Sequence, residues 1–339
     1  QTTNQVGARM KSMVFLGLLL LGLASTAPTS NDDEHLVITQ EFFPEEFKYY
    51  EGKNDIVKIV VPLNNLNFED DSSENSNNNN STDTFLFFVE LDDKGDKTLY
   101  VRKHDVTSKL LENGRDAVSP PDDSQLAYFA AKDGLYSYNY QSNKAEKYGA
   151  VEDDLIGIEM GNISQGIYVL TADKHVYKVT EDGTKKVKID DIKNPEQIVL
   201  DFSNNLFYVD SEKKIYVANE GGVKKIEGLP ANPTKVTLIR PPFVVEEGIP
   251  VIVDKQSYLI YPNGTSEYTD IDINVDITAY SMEAALVQYY AYDKKIYEYN
   301  VLTILLGDLL EELKKYLDDK KNEIQSIATR SRSEFLNKV

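Results

Sequence analysis

The sequence predicts an all-β protein, a six-bladed β-propeller over residues 28–300. An aspartate followed by a tyrosine-bearing strand recurs six times, and successive tyrosines are 36, 41, 39, 42 and 39 residues apart. This period matches one four-stranded propeller blade. Short runs rich in Val, Ile, Tyr and Phe are separated by Gly, Asn, Asp and Pro, as is typical of all-β proteins. No helical period interrupts residues 84–300, which argues against alternating βα architectures, and a β-sandwich would not repeat a motif at constant spacing.

The repeated tyrosines are predicted to occupy equivalent positions in the six blades. Their rings would pack against neighbouring blades, and the preceding aspartates would accept hydrogen bonds from turn amides. We interpret both as structural, because a functional group is seldom needed six times. The tyrosines are Tyr100, Tyr136, Tyr177, Tyr216, Tyr258 and Tyr297. Residues 36–40 are expected to supply the outer strand of the sixth unit and so to join the two ends of the ring.

Residues 1–27 are predicted to comprise upstream residues and a secretory signal peptide. Met10 and Lys11 precede an apolar run at 14–23, and small residues follow at 24–27. The run is too short to span a bilayer, although a membrane anchor or a buried strand remains an alternative. This pattern predicts a secreted, extracellular protein.

A secreted chain can be glycosylated at Asn-X-Ser/Thr sites, and this sequence has them at Asn80, Asn162 and Asn263. Asn263 is followed by glycine, a dipeptide typical of hairpin turns, so we expect this site to be exposed and to carry sugar.

Two segments depart from the propeller pattern. Residues 69–83 are acidic, rich in Asn and Ser and free of aromatic residues, which predicts a disordered loop. Residues 301–339 are predicted to form an amphipathic helix with a polar tail, because leucines recur at helical spacing from Leu302 to Leu317. This helix could pack beneath the propeller, mediate self-association or form a loosely attached tail.

The composition narrows the possible functions. Acidic residues outnumber basic ones, 56 to 36, for a net charge of −20, which disfavours binding to nucleic acid or anionic membranes. The absence of cysteine excludes disulfides and thiolate chemistry, and the three histidines (His35, His104 and His175) are far apart in sequence. No nucleophile elbow, zinc-protease, phosphate-loop or dinucleotide motif occurs. We therefore predict a protein that is not an enzyme and has no metal site.

Several segments resemble the ommochrome-binding proteins of lepidopteran haemolymph. The resemblance covers residues 85–300 and rests on GLYSYNYQSNKAEKYGA at 134–150, GIYVLTADKHVYKV at 166–179 and QIVLDFSNNLFYVD at 197–210. It implies a six-bladed propeller that binds ommochromes, which are tryptophan-derived pigments, for transport or storage in extracellular fluid. No cofactor is expected besides such a pigment.

A ligand is expected at the mouth of the central channel, near the loops that lead into the innermost strands. The residues predicted there are Arg115, Asp154, Gln197, Lys235 and Asn274. Arg115 and Lys235 would orient the carboxylates of a flat aromatic ligand, although a plain surface charge is the more common role for either residue.

Two other functions remain open. The amphipathic C-terminal segment would suit a secreted propeller that binds other proteins or has a structural role. A calcium-dependent, lactonase-like hydrolase would need carboxylates at the channel mouth, for which Asp154, Glu196 and Asp276 are candidates.

Overall fold

A computed structural model describes residues 35–63, 85–103, 105–122, 126–161, 166–284 and 287–300. The predicted signal peptide, the 69–83 loop, Asn80, Asn162 and the C-terminal segment 301–339 lie outside these residues. Within the described ranges the chain forms 25 β-strands and two 3₁₀ turns, Gln40–Phe42 and Glu45–Phe47. No helix in this part of the chain has the length and apolar character needed to cross a membrane.

The strands form six sheets that follow one another along the chain. Two strands precede the first sheet, namely β1 (Leu36–Ile38) and β2 (Lys48–Glu51). Blade 1 contains β3 (Asp55–Val60), β4 (Leu86–Leu91), β5 (Lys97–Lys103) and β6 (Val106–Glu112). Blade 2 contains β7 (Gly114–Val118), β8 (Tyr128–Ala131), β9 (Gly134–Asn139) and β10 (Lys144–Lys147). Blade 3 contains β11 (Leu155–Met160), β12 (Ile167–Thr171), β13 (Val176–Thr180) and β14 (Lys185–Lys188).

The remaining three blades complete the ring. Blade 4 contains β15 (Pro195–Leu200), β16 (Leu206–Asp210), β17 (Ile215–Asn219) and β18 (Gly222–Lys225). Blade 5 contains β19 (Val236–Leu238), β20 (Ile249–Val253), β21 (Gln256–Ile260) and β22 (Ser266–Ile273). Blade 6 contains β23 (Ala279–Ser281), β24 (Val287–Tyr292) and β25 (Lys295–Asn300). The first strand of blade 6 lies beside that of blade 1, so the predicted six-bladed propeller is confirmed.

The ring closes through β2, so the prediction that residues 36–40 would close it is wrong. Strand β2 pairs antiparallel with β25 as the fourth strand of blade 6. Strand β1 instead pairs parallel with β22 and becomes a fifth strand of blade 5. The aromatic side chains of β2 explain the choice, because the Tyr49 ring contacts Tyr289 of blade 6 and the Tyr50 ring contacts Phe88 of blade 1. These contacts fill the junction between the first and last blades.

The six repeat tyrosines all lie on the third strand of a blade, as the sequence predicts. Three of them are buried, namely Tyr136, Tyr258 and Tyr297. The other three are half-buried, namely Tyr100, Tyr177 and Tyr216. The repeated position therefore contributes to packing in every blade, but to a different extent in each.

The repeat aspartates do not share one role. Asp210 accepts hydrogen bonds from the backbone N–H groups of Glu212 and Lys214, both at 2.9 Å, which is the predicted turn contact. Asp254 instead accepts from the backbone N–H groups of Thr234 and Lys235, both at 2.9 Å, and so fixes the segment that leads into β19.

Asn263 lies exposed in the turn between β21 and β22, where the sequence places it. Its Oδ1 accepts hydrogen bonds from the Thr265 backbone N–H at 3.0 Å and from the Thr265 hydroxyl at 2.7 Å. The site is accessible for modification, and its glycosylation stays a prediction.

Arg102 fixes the closing strand to blade 1, which leads to a first prediction. Its guanidinium lies 5.0 and 5.3 Å from the ring centroids of Tyr49 and Tyr50, and Nη2 donates to the Tyr49 carbonyl oxygen at 3.4 Å. Arg102→Lys keeps the charge but loses the planar contact with the rings. We expect the free energy of unfolding in a urea titration to fall by about 1–2 kcal/mol. Lys144→Arg, on an exposed edge strand, is the control, and equal stability of both variants would contradict this role for Arg102.

Candidate functional site

A cavity of about 180 Å³ lies where the innermost strands of the six blades meet. Its charged lining residues are Lys58, Lys97, Arg115, Arg240, Asp116, Glu159, Glu196 and Glu283. Among the described lining residues four cations thus accompany four acids, whereas the whole chain has 36 basic and 56 acidic residues. The cavity is therefore more favourable to an anion than the average surface of this protein.

β-Bulges bring several side chains into the cavity. The register of the innermost strand shifts by one residue near its start in each of blades 1 to 4. The residues at these shifts are Val57, Arg115, Ile156 and Glu196, and all four line the cavity. At a bulge one strand has an extra residue, and the side chain of that residue leaves the regular alternation between the two faces of the sheet. This explains why the four side chains are directed into the cavity.

Arg115 and Asp154 form an ion pair between blades 2 and 3. The Nη1 of Arg115 donates to Asp154 Oδ1 and lies 3.5 Å from the Leu155 carbonyl oxygen. A guanidinium has five N–H donors, so Arg115 retains donors beyond these two contacts. Asp154 holds the guanidinium at the edge of the cavity, where it adds positive charge.

Lys58 and Asp116 form a second pair within the cavity. The Lys58 Nζ lies 2.9 Å from Asp116 Oδ1, and Asp116 also accepts the backbone N–H groups of Ala117 at 2.9 Å and Ile158 at 3.0 Å. Burial by itself would lower the pKa of the Lys58 ammonium, but the carboxylates of Asp116 and Glu159 raise it above its ordinary value. Lys58 therefore remains charged, and Asp116 neutralises it.

Lys97 begins the third strand of blade 1 and is half-buried in the cavity lining. Among the residues that the structure describes, its ammonium has no ion pair or hydrogen bond. Burial lowers the pKa of Lys97, and although Asp116 acts in the opposite direction, the nearby Arg115 and Lys58 lower it further. Three cations therefore approach one another here, with Asp116 as the neighbouring carboxylate.

Glu159 is the most deeply buried charged residue of the lining, with 2% of its side chain exposed. The nearest cationic atoms are Arg240 Nη1, 3.6 Å from Oε2, and Lys58 Nζ, 4.0 Å from Oε1. Burial raises the pKa of this carboxyl to about 7, because Arg240 and Lys58 offset only part of the lost hydration. Glu159 can therefore change its charge near neutral pH.

The structure brings together three of the five residues predicted at the channel mouth. Arg115 and Gln197 line the cavity, and Asp154 pairs with Arg115. The Gln197 side-chain amide donates to the Leu238 carbonyl oxygen at 2.9 Å and accepts its N–H at 3.0 Å, which joins blades 4 and 5.

The other two predicted residues lie outside the cavity lining. Lys235 forms an ion pair with Asp276, with 63% and 75% of the two side chains exposed. Asn274 is exposed, and its backbone N–H donates to the Ile38 carbonyl oxygen of β1 at 2.8 Å.

Sequence reasoning missed six charged lining residues, Lys58, Lys97, Asp116, Glu159, Arg240 and Glu283. A charge within an otherwise apolar strand is a signal that would have found two of them, because Lys58 interrupts DIVKIV and Glu159 interrupts LIGIEM. Lys97 follows a turn rich in charges, and nothing in its sequence context distinguishes it from a solvated turn residue.

The three carboxylates considered for calcium each pair with a cation. Asp154 pairs with Arg115 and Asp276 with Lys235, while Glu196 lies 2.6 Å from Lys213 and 3.6 Å from Lys174. No group of three or more Asp, Glu, His or Cys side chains within the described ranges is arranged to hold a metal ion.

Comparisons with known proteins find similar folds but give no information about the function. No family model matches the chain, and no curated protein matches it, so the resemblance to ommochrome-binding proteins stays a hypothesis. Among solved structures, the hydrazine synthase of Kuenenia stuttgartiensis is 10% identical with a TM-score of 0.44, covering 71% of this chain and 75% of that one. PorZ, a surface component of the type-IX secretion system of Porphyromonas gingivalis, is 11% identical with a TM-score of 0.40, covering 64% of this chain and 29% of that one. Both likenesses concern the fold alone.

Proposed function

We propose that this propeller is a binding protein, without catalytic activity, that holds the anionic end of a small aromatic ligand in its central cavity. The observation that carries the proposal is Lys97, a half-buried residue of the cavity lining whose ammonium has no ion pair or hydrogen bond among the described residues. A poorly hydrated ammonium that no carboxylate contacts directly is unfavourable, and Asp116, the neighbouring carboxylate, is already paired with Lys58. A ligand carboxylate at Lys97, close to Lys58 and Arg115, would supply that charge.

The dimensions of the cavity limit which part of the ligand it can enclose. Pockets that bury a drug-sized molecule usually measure about 300–1,000 Å³, whereas this cavity measures about 180 Å³. It would therefore enclose the carboxylate-bearing end, and fused rings would extend towards the mouth. Tyr280 is the one aromatic residue of the described lining and could contact such a ring.

The ligand class that we propose is an ommochrome-like, tryptophan-derived pigment carried or stored in extracellular fluid. The support is the sequence resemblance at 134–150, 166–179 and 197–210, together with the cations of the cavity. Secretion belongs to the same proposal and is supported by the signal-peptide pattern of residues 1–27.

A titration with xanthommatin tests this function. Its absorbance and the quenching of tyrosine fluorescence report binding, which we expect to saturate. Lys97→Met should weaken binding about 10- to 100-fold, because it removes a charge-assisted hydrogen bond. Lys235→Met removes the same charge outside the cavity lining and should bind as the wild type does. Absence of saturable binding below about 100 μM, or an equal loss in both variants, would contradict the proposal.

A further inference from the structure

The cavity contains a second polar group without a hydrogen-bond partner in the part of the chain that the structure describes, the Oε2 atom of Glu159. Arg240 Nη1 is 3.6 Å from this atom, beyond the 2.7–3.2 Å range of ordinary N–H···O hydrogen bonds. Lys58 Nζ approaches the other carboxylate oxygen only to 4.0 Å. Glu159 thus has charged neighbours, but no described residue donates a hydrogen bond to its Oε2.

The surrounding groups are already committed to other partners. Arg240 Nη2 donates to the Met160 carbonyl oxygen at 2.8 Å, and Lys58 lies 2.9 Å from Asp116. The Glu283 carboxylate accepts the Ser281 hydroxyl at 3.0 Å. Buried carboxylate oxygens are nearly always hydrogen-bonded in native proteins, so an unsatisfied one that lines a cavity points to a donor supplied by a ligand.

We infer that the ligand is a zwitterion whose ammonium group donates to Glu159 Oε2 and whose carboxylate accepts from Lys97 Nζ. Both protein groups line the same cavity, and among the described residues Glu159 Oε2 has no donor and Lys97 Nζ has no acceptor. The matching ligand class is an α-amino acid or an aromatic derivative that keeps the amino and carboxyl groups. This inference rests on the proposed function, because it names the chemistry of the ligand at the same cavity.

The affinity for such a ligand should depend on pH. The charged groups that act on Glu159 are Arg240, Lys58, Asp116 and Glu283. Burial raises the pKa of Glu159 to about 7, so the carboxyl loses its charge below neutral pH and attracts an ammonium less strongly. We expect the affinity for a zwitterion to fall about tenfold between pH 7.5 and pH 5.5.

Three related probes separate the contributions that the ligand's ammonium and carboxylate groups make to the affinity. L-tryptophan carries both groups, 3-indolepropionate lacks the ammonium and tryptamine lacks the carboxylate. In calorimetric titrations of the wild-type protein at pH 7.5, we expect L-tryptophan to bind about tenfold more tightly than either of the others. Glu159→Gln should remove the advantage over 3-indolepropionate. Glu212→Gln, which removes an exposed carboxylate outside the cavity lining, should keep it.

The outcomes distinguish this inference from the proposed function. Equal binding of L-tryptophan and 3-indolepropionate to the wild-type protein would overturn the zwitterion and leave the carboxylate site intact. Equal binding of L-tryptophan and tryptamine would overturn the role of Lys97, and an advantage that survives Glu159→Gln would overturn the role of Glu159. Failure of all the carboxylate probes and of xanthommatin would overturn the proposed function itself. If Glu159→Gln does not fold, the inference is still tested by the affinities of the wild-type protein for the three probes and by the pH dependence of its affinity for L-tryptophan.

Discussion

Replacing Tyr297 with alanine is expected to lower the free energy of unfolding by about 3–5 kcal/mol, the usual loss when a buried aromatic ring is truncated. Only 3% of Tyr297 is exposed, and its ring centroid lies 5.1 Å from that of Phe43. Its backbone stands opposite Lys48 of the closing strand. The cavity left by the ring would therefore lie at the junction that closes the propeller. A loss of this size is a large share of a domain's net stability.

Tyr177→Ala is the matched control, because Tyr177 occupies the third strand of blade 3 but is only half-buried. Its ring is covered on one face by the Lys186 ammonium, 4.5 Å from the centroid. We expect this variant to lose about 1 kcal/mol, in the range of partly exposed substitutions. Chemical unfolding of the two variants measures the difference. Equal losses of stability in the two variants would show that the burial of Tyr297 does not determine how much a repeat tyrosine contributes to the free energy of unfolding.

The repeat predicted the blades because every third strand carries a tyrosine at the same place, and each of these tyrosines is at least half-buried. The closing strand left no comparable signal. Residues 36–38 and 48–51 both have strand-forming composition, and only contacts across the ring distinguish them. Tyr49 and Tyr50 fit between blades 6 and 1, which can be recognised only when both blades are in place.

The position of the site could be predicted in part. Arg115 and Gln197 stand near the start of an innermost strand, and chain order alone brings such positions to the channel. Asn274 departs from this rule, because it lies well before the innermost strand of blade 6 and its backbone binds β1 at the outer edge of blade 5. The bulge at Arg115 could not be predicted, because one extra residue reverses the direction of a side chain without altering the composition of the strand.

The stability of the wild-type protein is expected to decrease between pH 4.5 and pH 7 because of Glu159. Burial raises the pKa of this carboxyl from its ordinary value of 4.5 to about 7 in the folded protein. Between these values the folded state keeps a proton that the unfolded state has released, so stability falls as the pH rises. Below pH 4.5 both states are protonated and above pH 7 both are ionised, so the effect is confined to this window. At 1.36 kcal/mol per pKa unit, the change amounts to about 3 kcal/mol.

Glu159→Gln removes this titration while keeping the shape of the side chain. The free energy of unfolding of the variant, relative to that of the wild type, is therefore expected to rise by about 3 kcal/mol from pH 4.5 to pH 7.5. Urea titrations of both proteins across this range measure the difference, and parallel curves would contradict the raised pKa. A ligand ammonium at Oε2 would favour the ionised carboxylate. Saturating L-tryptophan should consequently flatten the wild-type decrease, whereas 3-indolepropionate, which has no ammonium to donate, should not.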